Sequence, residues 1–581
     1  MEYTFDQFVT QVHAAIAATG CVPEDLIEVQ KPKANVPADL TLPTFKAARQ
    51  AGVAPPKLAS ELAVALQLPA DTLVGAVAVA GPYLNFSMHP AQLAARVLYD
   101  VLSYGDTYGH DDEGQGRTVI VEYSSPNVAK RMHVGHIRST IIGQSLNNIY
   151  RALGYHTVSD NHLGDWGKQF GVILAAVMRD GKPQAEGEHA LAELEALYTR
   201  YSTEMKEHGA LDDEARRWSL QLEQGDPQAR ELWQWSVDIT LQANRRNYDR
   251  LGVTFDHIYG ESFYEHMMED VIAAALAKGA AYRDEDGSVV VPEQDKLPLF
   301  LLQRKDGGTL YMTRDVATVL FRLREFNPAR IIYIVGSPQE LHFRQLFALV
   351  RAMGYAHDVE LVHVQFGTVF DAQGQPLSTR RGNMVYLELL LDEAVQRARA
   401  VIEQKNPDLP EAEKQEVAEI VGVGAVVYND LYQDTRRNIT LDWDKMLSTD
   451  GNSATYLQYS YARCRSILRK ATEDAGTDEP ATTLDAAVLA LLEAPAEQSL
   501  LRHLAQFPAA VRDAGARYAP FVIADWCYTT AREFGVFFEQ CPVLKAETPA
   551  LRTARLTLVA ATAQALKNGL WLLGIRVPER M

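Results

Sequence analysis

The chain has 581 residues, 75 acidic against 56 basic side chains, a net charge of −19 and 47% hydrophobic content. That length exceeds one core and points to about three or four domains of an ordinary globular protein, and the acidic balance argues against indiscriminate nucleic-acid binding. No apolar run approaches the roughly 18 residues of a membrane helix, the acidic start MEYTFDQF lacks a secretory pattern, and Cys21, Cys464, Cys527 and Cys541 form neither a zinc cluster nor a disulfide framework. A reduced, cytoplasmic protein with no membrane or DNA partner is expected, although a basic stripe on an acidic body still admits one RNA partner.

In chain order, residues 1–109 read as a small α/β domain. Phe5 to Ala18 has helical periodicity, a Pro- and Lys-rich loop spans Lys31 to Pro37, and two further helical segments bracket the strand-like stretch Leu73 to Ser87, with a turn at Gly81. A second domain opens near residue 110. Thr118 to Tyr123 (TVIVEY) is apolar and β-branched, as a short buried strand is. Ile137, Ile141, Ile142, Leu146, Ile149, Tyr150 and Leu153 then fall at helical spacing, and Gly154 ends the run. The segment His133-Val134-Gly135-His136 therefore lies where a strand turns into a helix. In an open parallel sheet that place is the ligand crevice, and the helix N-terminus favours anions. The two imidazoles share one helical face, and Gly135 removes a side chain that would obstruct a ligand. A bare HxGH is more often a polar cap than a site.

Here the context is longer: Ser124-Ser-Pro-Asn127-Val-Ala-Lys130 precedes the histidines, and Gly135-His-Ile-Arg-Ser-Thr140 runs through the second. This resembles the ATP-binding signature of class I aminoacyl-tRNA synthetases in the form used by arginyl-tRNA synthetases. Further segments fit that resemblance. Asn161-His-Leu-Gly-Asp165-Trp-Gly-Lys-Gln-Phe170 follows the next strand and is similar to a family loop. Residues of about 181–295 are mostly charged helix and look like an insertion, which in the family faces the tRNA acceptor end; Asn244, Tyr248 and Asp249 lie near its close, with Tyr248 open to a substrate or a packing role. Tyr311-Met-Thr-Arg-Asp315 enters a helix, where Thr313 or Asp315 would suit the first turn. Arg330 to Val335 reads as a buried parallel strand delivering Gln339 and His342, and Leu361 to Thr368 delivers a second loop, Asp371 to Asn383. That loop resembles the second class I signature, usually KMSKSKGN, but reads Leu377-Ser378-Thr379-Arg380-Arg381-Gly382-Asn383, without the lysine that meets ATP phosphates. From about residue 396 the chain reads as helical throughout, and the stretch around Tyr456, Tyr459 and Tyr461 resembles the start of a helical anticodon-binding domain.

The resemblance implies a multidomain α/β fold: a tRNA-elbow-binding N-terminal domain (1–109), a Rossmann-like catalytic core with a helical insertion (110–450), and an all-α anticodon-binding domain (451–581). It implies arginine–tRNA ligase chemistry with ATP and Mg²⁺, on L-arginine and tRNA(Arg), by a monomer without structural zinc. His133 and His136 would serve catalysis with Lys130, Arg380 and Arg381, Lys130 replacing the missing loop lysine. His133, Gly135, His136, Ser378, Thr379 and Arg380 would hold ATP. Glu122, Ser124, Asn127, His133, Tyr311, Asp315 and Gln339 would hold arginine, a planar cation with five donors that carboxylates in fork geometry recognise. Such a site can reject analogues by roughly 10⁴ or more, so no editing domain is expected.

The rivals are another class I synthetase, a small-molecule nucleotidylyltransferase sharing HxGH, and a non-catalytic RNA-binding paralogue. The absence of metal spacing disfavours a cysteine-specific enzyme. The insertion and helical C-terminal region disfavour the nucleotidylyltransferase, and the intact histidine pair disfavours the paralogue.

Overall fold

The computed structural model describes residues 2–33, 36, 38–69, 71–185, 187–294, 296–377, 385–477 and 480–581. Near the N-terminus, β1 (Leu40–Pro43), β2 (Val74–Ala80) and β3 (Tyr83–Met88) form an antiparallel sheet in the order β1-β3-β2. Gly81, at φ 60°, makes the β2–β3 hairpin turn in a conformation a side chain would resist. Helix Pro90–Tyr104 buries Leu93, Val97, Leu98 and Val101 along one face and leads into the core.

The core begins with β4 (Thr118–Glu122), the signature helix Val134–Ala152, and β5 (His156–Asp160), paired parallel to β4. An insertion follows: helices Gly187–Glu207, Gly209–Glu223, Pro227–Leu251 and Met268–Ala277. Its end departs from the mostly helical expectation. A small antiparallel sheet, β6 (Tyr282–Arg283), β7 (Val289–Val291) and β8 (Phe300–Gln303), lies between it and the returning core. Strands of two to four residues are too short to show an alternating pattern.

The core resumes with β9 (Arg330–Gly336) and β10 (Glu360–Phe366), giving a parallel sheet in the order β10-β9-β4-β5. The chain moves from β4 to β5 on one side and from β9 to β10 on the other, so the order reverses between β4 and β9. Ligands bind at such a switch point, beyond the carboxyl ends of the strands.

Among the described residues, the helical run expected from about residue 396 is broken by β12 (Ile439–Thr440), which pairs parallel with β11 (Val369–Phe370), and the Asn438 carboxamide oxygen accepts the Thr368 N–H at 2.9 Å. The remainder is a helical bundle, including Ala454–Ala475, Phe507–Ala516 and Pro549–Leu572. It packs on the signature helix, where Ser145 Oγ donates to the Leu572 carbonyl at 2.9 Å and Tyr150 OH to the Gly515 carbonyl at 2.8 Å. The signature helix is therefore buried on nearly every side, between sheet and bundle. Tyr461 is buried and donates to Glu579 at 2.8 Å, docking the C-terminal tail. No described helix is long and apolar enough to cross a membrane.

Candidate active site

The turn after β4 is bent by three residues that are not glycine. Ser124, Ser125 and Ala129 have φ of 73°, 49° and 60°. Left-handed conformations cost such residues on the order of 1 kcal/mol each. In each case a side chain from another element captures the strained N–H. Ser124 donates to Ser139 Oγ at 3.0 Å, Ser125 to Asn161 Oδ1 at 3.1 Å, and Ala129 to Thr240 Oγ1 at 3.0 Å. The signature helix, the β5 loop and the insertion thus jointly hold the turn. Strain that its surroundings over-determine is typical of ligand sites.

The turn ends on the two histidines. His133 caps the signature helix: its Nδ1 accepts the Gly135 N–H at 3.0 Å, while His136 Nδ1 accepts the His133 N–H at 3.1 Å. The rings lie 3.9 Å apart, tilted by 38°. A Cβ on Gly135 would come within 2.8 Å of the His133 ring, so this glycine first makes room for its neighbour's imidazole. Because both Nδ1 atoms accept from backbone N–H groups, the neutral rings carry their protons on Nε2. Burial, then the charge of Lys130, lowers His133 to about 4; burial, then His133 and Lys130, lowers His136 to about 3. At neutral pH the pair is two uncharged N–H donors beside one cation. Lys130 also lies 5.4 Å from the Tyr198 ring of the insertion.

Ser124 is buried. Its Oγ lies 2.8 Å from Tyr248 OH and accepts from Thr140 Oγ1 at 2.9 Å, and Asn161 donates to Tyr248 at 3.2 Å. Tyr248 is buried too and packs edge-on against Phe255, so its place is among the struts of the turn. Asn127 is exposed beside Gly164, whose missing side chain leaves room for the Asn127 carboxamide. Asp165 of the same loop accepts from Ser262 N and Oγ at 2.8 and 2.7 Å, and burial raises its pKa. That carboxyl braces the insertion.

Glu122, at the end of β4, is buried with its Oε2 2.6 Å from Arg322, which also meets Asp160 at 2.6 Å. Arg322 is fully buried, so two strand-end carboxylates share one internal cation. Tyr311, 69% exposed, opens the helix Tyr311–Phe326. Thr313 serves that helix start, since its Oγ1 accepts from the Leu310 N–H at 3.3 Å. Asp315 does not cap; its carboxylate meets His342 Nε2 at 2.5 Å. Gln339 is exposed just beyond β9. Glu122, Ser124, Asn127, Lys130, His133 and His136 thus belong to the β4 edge, and Gln339 and His342 to the adjacent β9 edge. Ser378, Thr379, Arg380 and Arg381 lie outside the described residues. Among the described residues no three His, Cys, Asp or Glu side chains group as a metal site.

Sequence reading missed Arg322, Thr240 and Ser139 as site-building residues. Ser139 stood inside the quoted signature, but Arg322 and Thr240 sit in ordinary helix and carried no signal.

The catalytic-domain model for class I tRNA synthetases (R) matches residues 98–443, the arginyl tRNA synthetase N-terminal domain matches 6–88, and the DALR anticodon binding domain matches 457–581. An arginine–tRNA ligase of Chloroflexus aggregans is 66% identical over 581 residues, covering 100% of both chains. One from Streptococcus suis is 40% identical over 553 residues, covering 95% of each. The arginyl-tRNA synthetase of Thermus thermophilus shares the fold with a TM-score of 0.83 at 24% identity, covering 99% of each chain. That of Plasmodium falciparum does so at 0.82 and 22%, covering 98% of this chain and 99% of its own.

Proposed function

The chain belongs to the arginyl-tRNA synthetases of class I, and from that premise we propose how its crevice divides the work. The enzyme activates L-arginine with ATP, releasing pyrophosphate, and transfers the arginyl group to tRNA(Arg). In the first step an arginine carboxylate oxygen attacks the α-phosphorus. The bond to the bridging oxygen breaks, and pyrophosphate leaves with the electron pair. Such transfers depend on positioning and charge stabilisation.

The observation that carries the assignment is the reciprocal histidine cap. Backbone amides fix both tautomers, so His133 and His136 present preorganised Nε2–H donors to phosphate oxygens, with no proton to move first. Lys130 supplies the positive charge, and Arg380 and Arg381 add to it from the second loop, with Ser378 and Thr379. Gly135 lets the nucleotide approach the helix start. Magnesium would come with ATP, whose phosphates are its natural ligands.

For arginine, Asp315 is the guanidinium acceptor with Tyr311 beside it, and the substrate's fork replaces or joins His342 at that carboxylate. Asn127, Glu122 and Gln339 receive the α-amino end, with His133 alongside, while Ser124 acts from within the turn. The acceptor on tRNA is the terminal 2′-hydroxyl. A monomer in a reduced, cytoplasmic setting completes the reading, and the four cysteines are free. Charging of tRNA(Arg) with each amino acid in turn tests the reading. Arginine alone should be accepted, only with ATP, and Asp315→Asn should lose arginine in preference to ATP. Equal acceptance of lysine would overturn the slot.

A further inference from the structure

Arg131 stands between Lys130 and the histidine turn, and no role falls to it in the reading above. Its guanidinium lies 3.5 Å over the Tyr386 ring. Its Nε meets Glu195 at 2.9 Å, on insertion helix Gly187–Glu207, and its Nη1 meets Glu388 at 3.5 Å, in the first turn of helix Leu387–Lys405. The three charged side chains are only 23%, 20% and 17% exposed, so this is not a solvated surface pair.

The backbone beside Arg131 is joined to the same place. Val134 N–H donates to the Val385 carbonyl and Leu387 N–H to the Met132 carbonyl, each at 3.0 Å, making a short antiparallel bridge between His133 and Tyr386. Residues 385–388 and the insertion helix therefore grip the histidine turn from two sides, and Arg131 is the side chain common to both. A planar fork stacks flat on Tyr386 while donating to two carboxylates in fixed directions, whereas an ammonium is a rotatable point charge that keeps the attraction without fixing the angle.

We propose that Arg131 is a positioning residue for arginine activation: by clasping Glu195 on one side and Tyr386 and Glu388 on the other, it sets the angle at which His133 and His136 face the nucleotide. This rests on the histidine assignment above. It makes the insertion helix part of the activating machinery, with a small displacement of Glu195 felt at the histidine donors.

Pyrophosphate exchange on the full chain, with tRNA present, tests it. Arg131→Ala should lower kcat about tenfold while KM for arginine stays within about twofold, the pattern of an interaction expressed in the transition state. Arg131→Lys should recover part of the loss, keeping charge without the stacked fork. Glu195→Gln should lower kcat too, and the double variant should be no worse than Arg131→Ala, since the two act as one unit. An unchanged kcat in Arg131→Ala, or losses that multiply in the double variant, would overturn the proposal. Should Arg131→Ala fail to fold, Arg131→Lys and Glu195→Gln decide by the same kcat criterion. His136→Ala separates the layers: activation lost there but intact in Arg131→Ala defeats the clasp alone, whereas activation intact in His136→Ala defeats the assignment beneath it.

Discussion

Ala129, held at φ 60°, donates its N–H to Thr240 Oγ1 at 3.0 Å, across a sequence separation of 111 residues. One hydroxyl in the insertion thus satisfies a buried backbone donor in the signature turn. Thr240→Val keeps the shape and removes the acceptor. An orphaned buried donor costs about 1–3 kcal/mol, so the variant should unfold at lower denaturant and activate arginine more slowly. Wild-type values for both would show that the bond does not hold the turn. Ala129→Gly works in the opposite sense. It relieves about 1 kcal/mol of left-handed strain and adds unfolded-state freedom of similar size, so its unfolding midpoint should stay near wild type.

The histidine pair makes a pH prediction for the free enzyme. Both imidazoles are lowered, to about 4 and about 3, chiefly by burial. Below the ordinary imidazole value of about 6.5 the unfolded chain binds protons that the folded chain refuses, so stability should fall as pH drops through that range toward 4. Above it the contribution is fully present. Nitrogen NMR on histidine-labelled protein should show two rings in the Nε2–H form that do not titrate between about pH 5.5 and 8. Two rings titrating near 6.5 would remove the neutral-donor account. Bound triphosphate adds negative charge and would raise both values.

His136→Ala deletes one of the two proposed donors. Losses at such positions run to about 10²–10³ in kcat, and tRNA affinity should stay near normal because the proposed role is at the ATP phosphates. Turnover close to wild type would reject the role.

Lys130→Ala should damage ATP-dependent activation more than Arg380→Ala, since Lys130 lies close enough to depress both histidines. The reverse order in pyrophosphate exchange would assign the replacement of the missing loop lysine to the arginine.

Asp315→Asn removes a charge from the proposed guanidinium slot. Hydrogen bonds to charged groups contribute about 1.5–3 kcal/mol, so KM for arginine should rise by roughly 10- to 100-fold, with KM for ATP little changed. A larger effect on ATP would move Asp315 out of the amino-acid slot.

Much of the frame was legible because it follows local rules. The apolar runs at Thr118 to Tyr123 and Arg330 to Val335 became neighbouring parallel strands, and the 3.6-residue repeat after His136 became one long helix. β6 to β8 and β12 escaped notice because two to four residues cannot show a period. Asp315 was readable as a candidate, but its partner His342 comes from the helix that follows β9, and no spacing announces that meeting.

What the sequence alone determined is the order of strand, turn and helix and the chemical types placed at each turn, since periodicity and side-chain identity are local properties. Only the tertiary structure decided that three ordinary residues after β4 are left-handed, that Ser139, Asn161 and Thr240 hold them so, and that both imidazoles accept backbone N–H groups at Nδ1. Those outcomes depend on which distant donor meets which acceptor, and such meetings are set by packing across the sheet, the insertion and the bundle together.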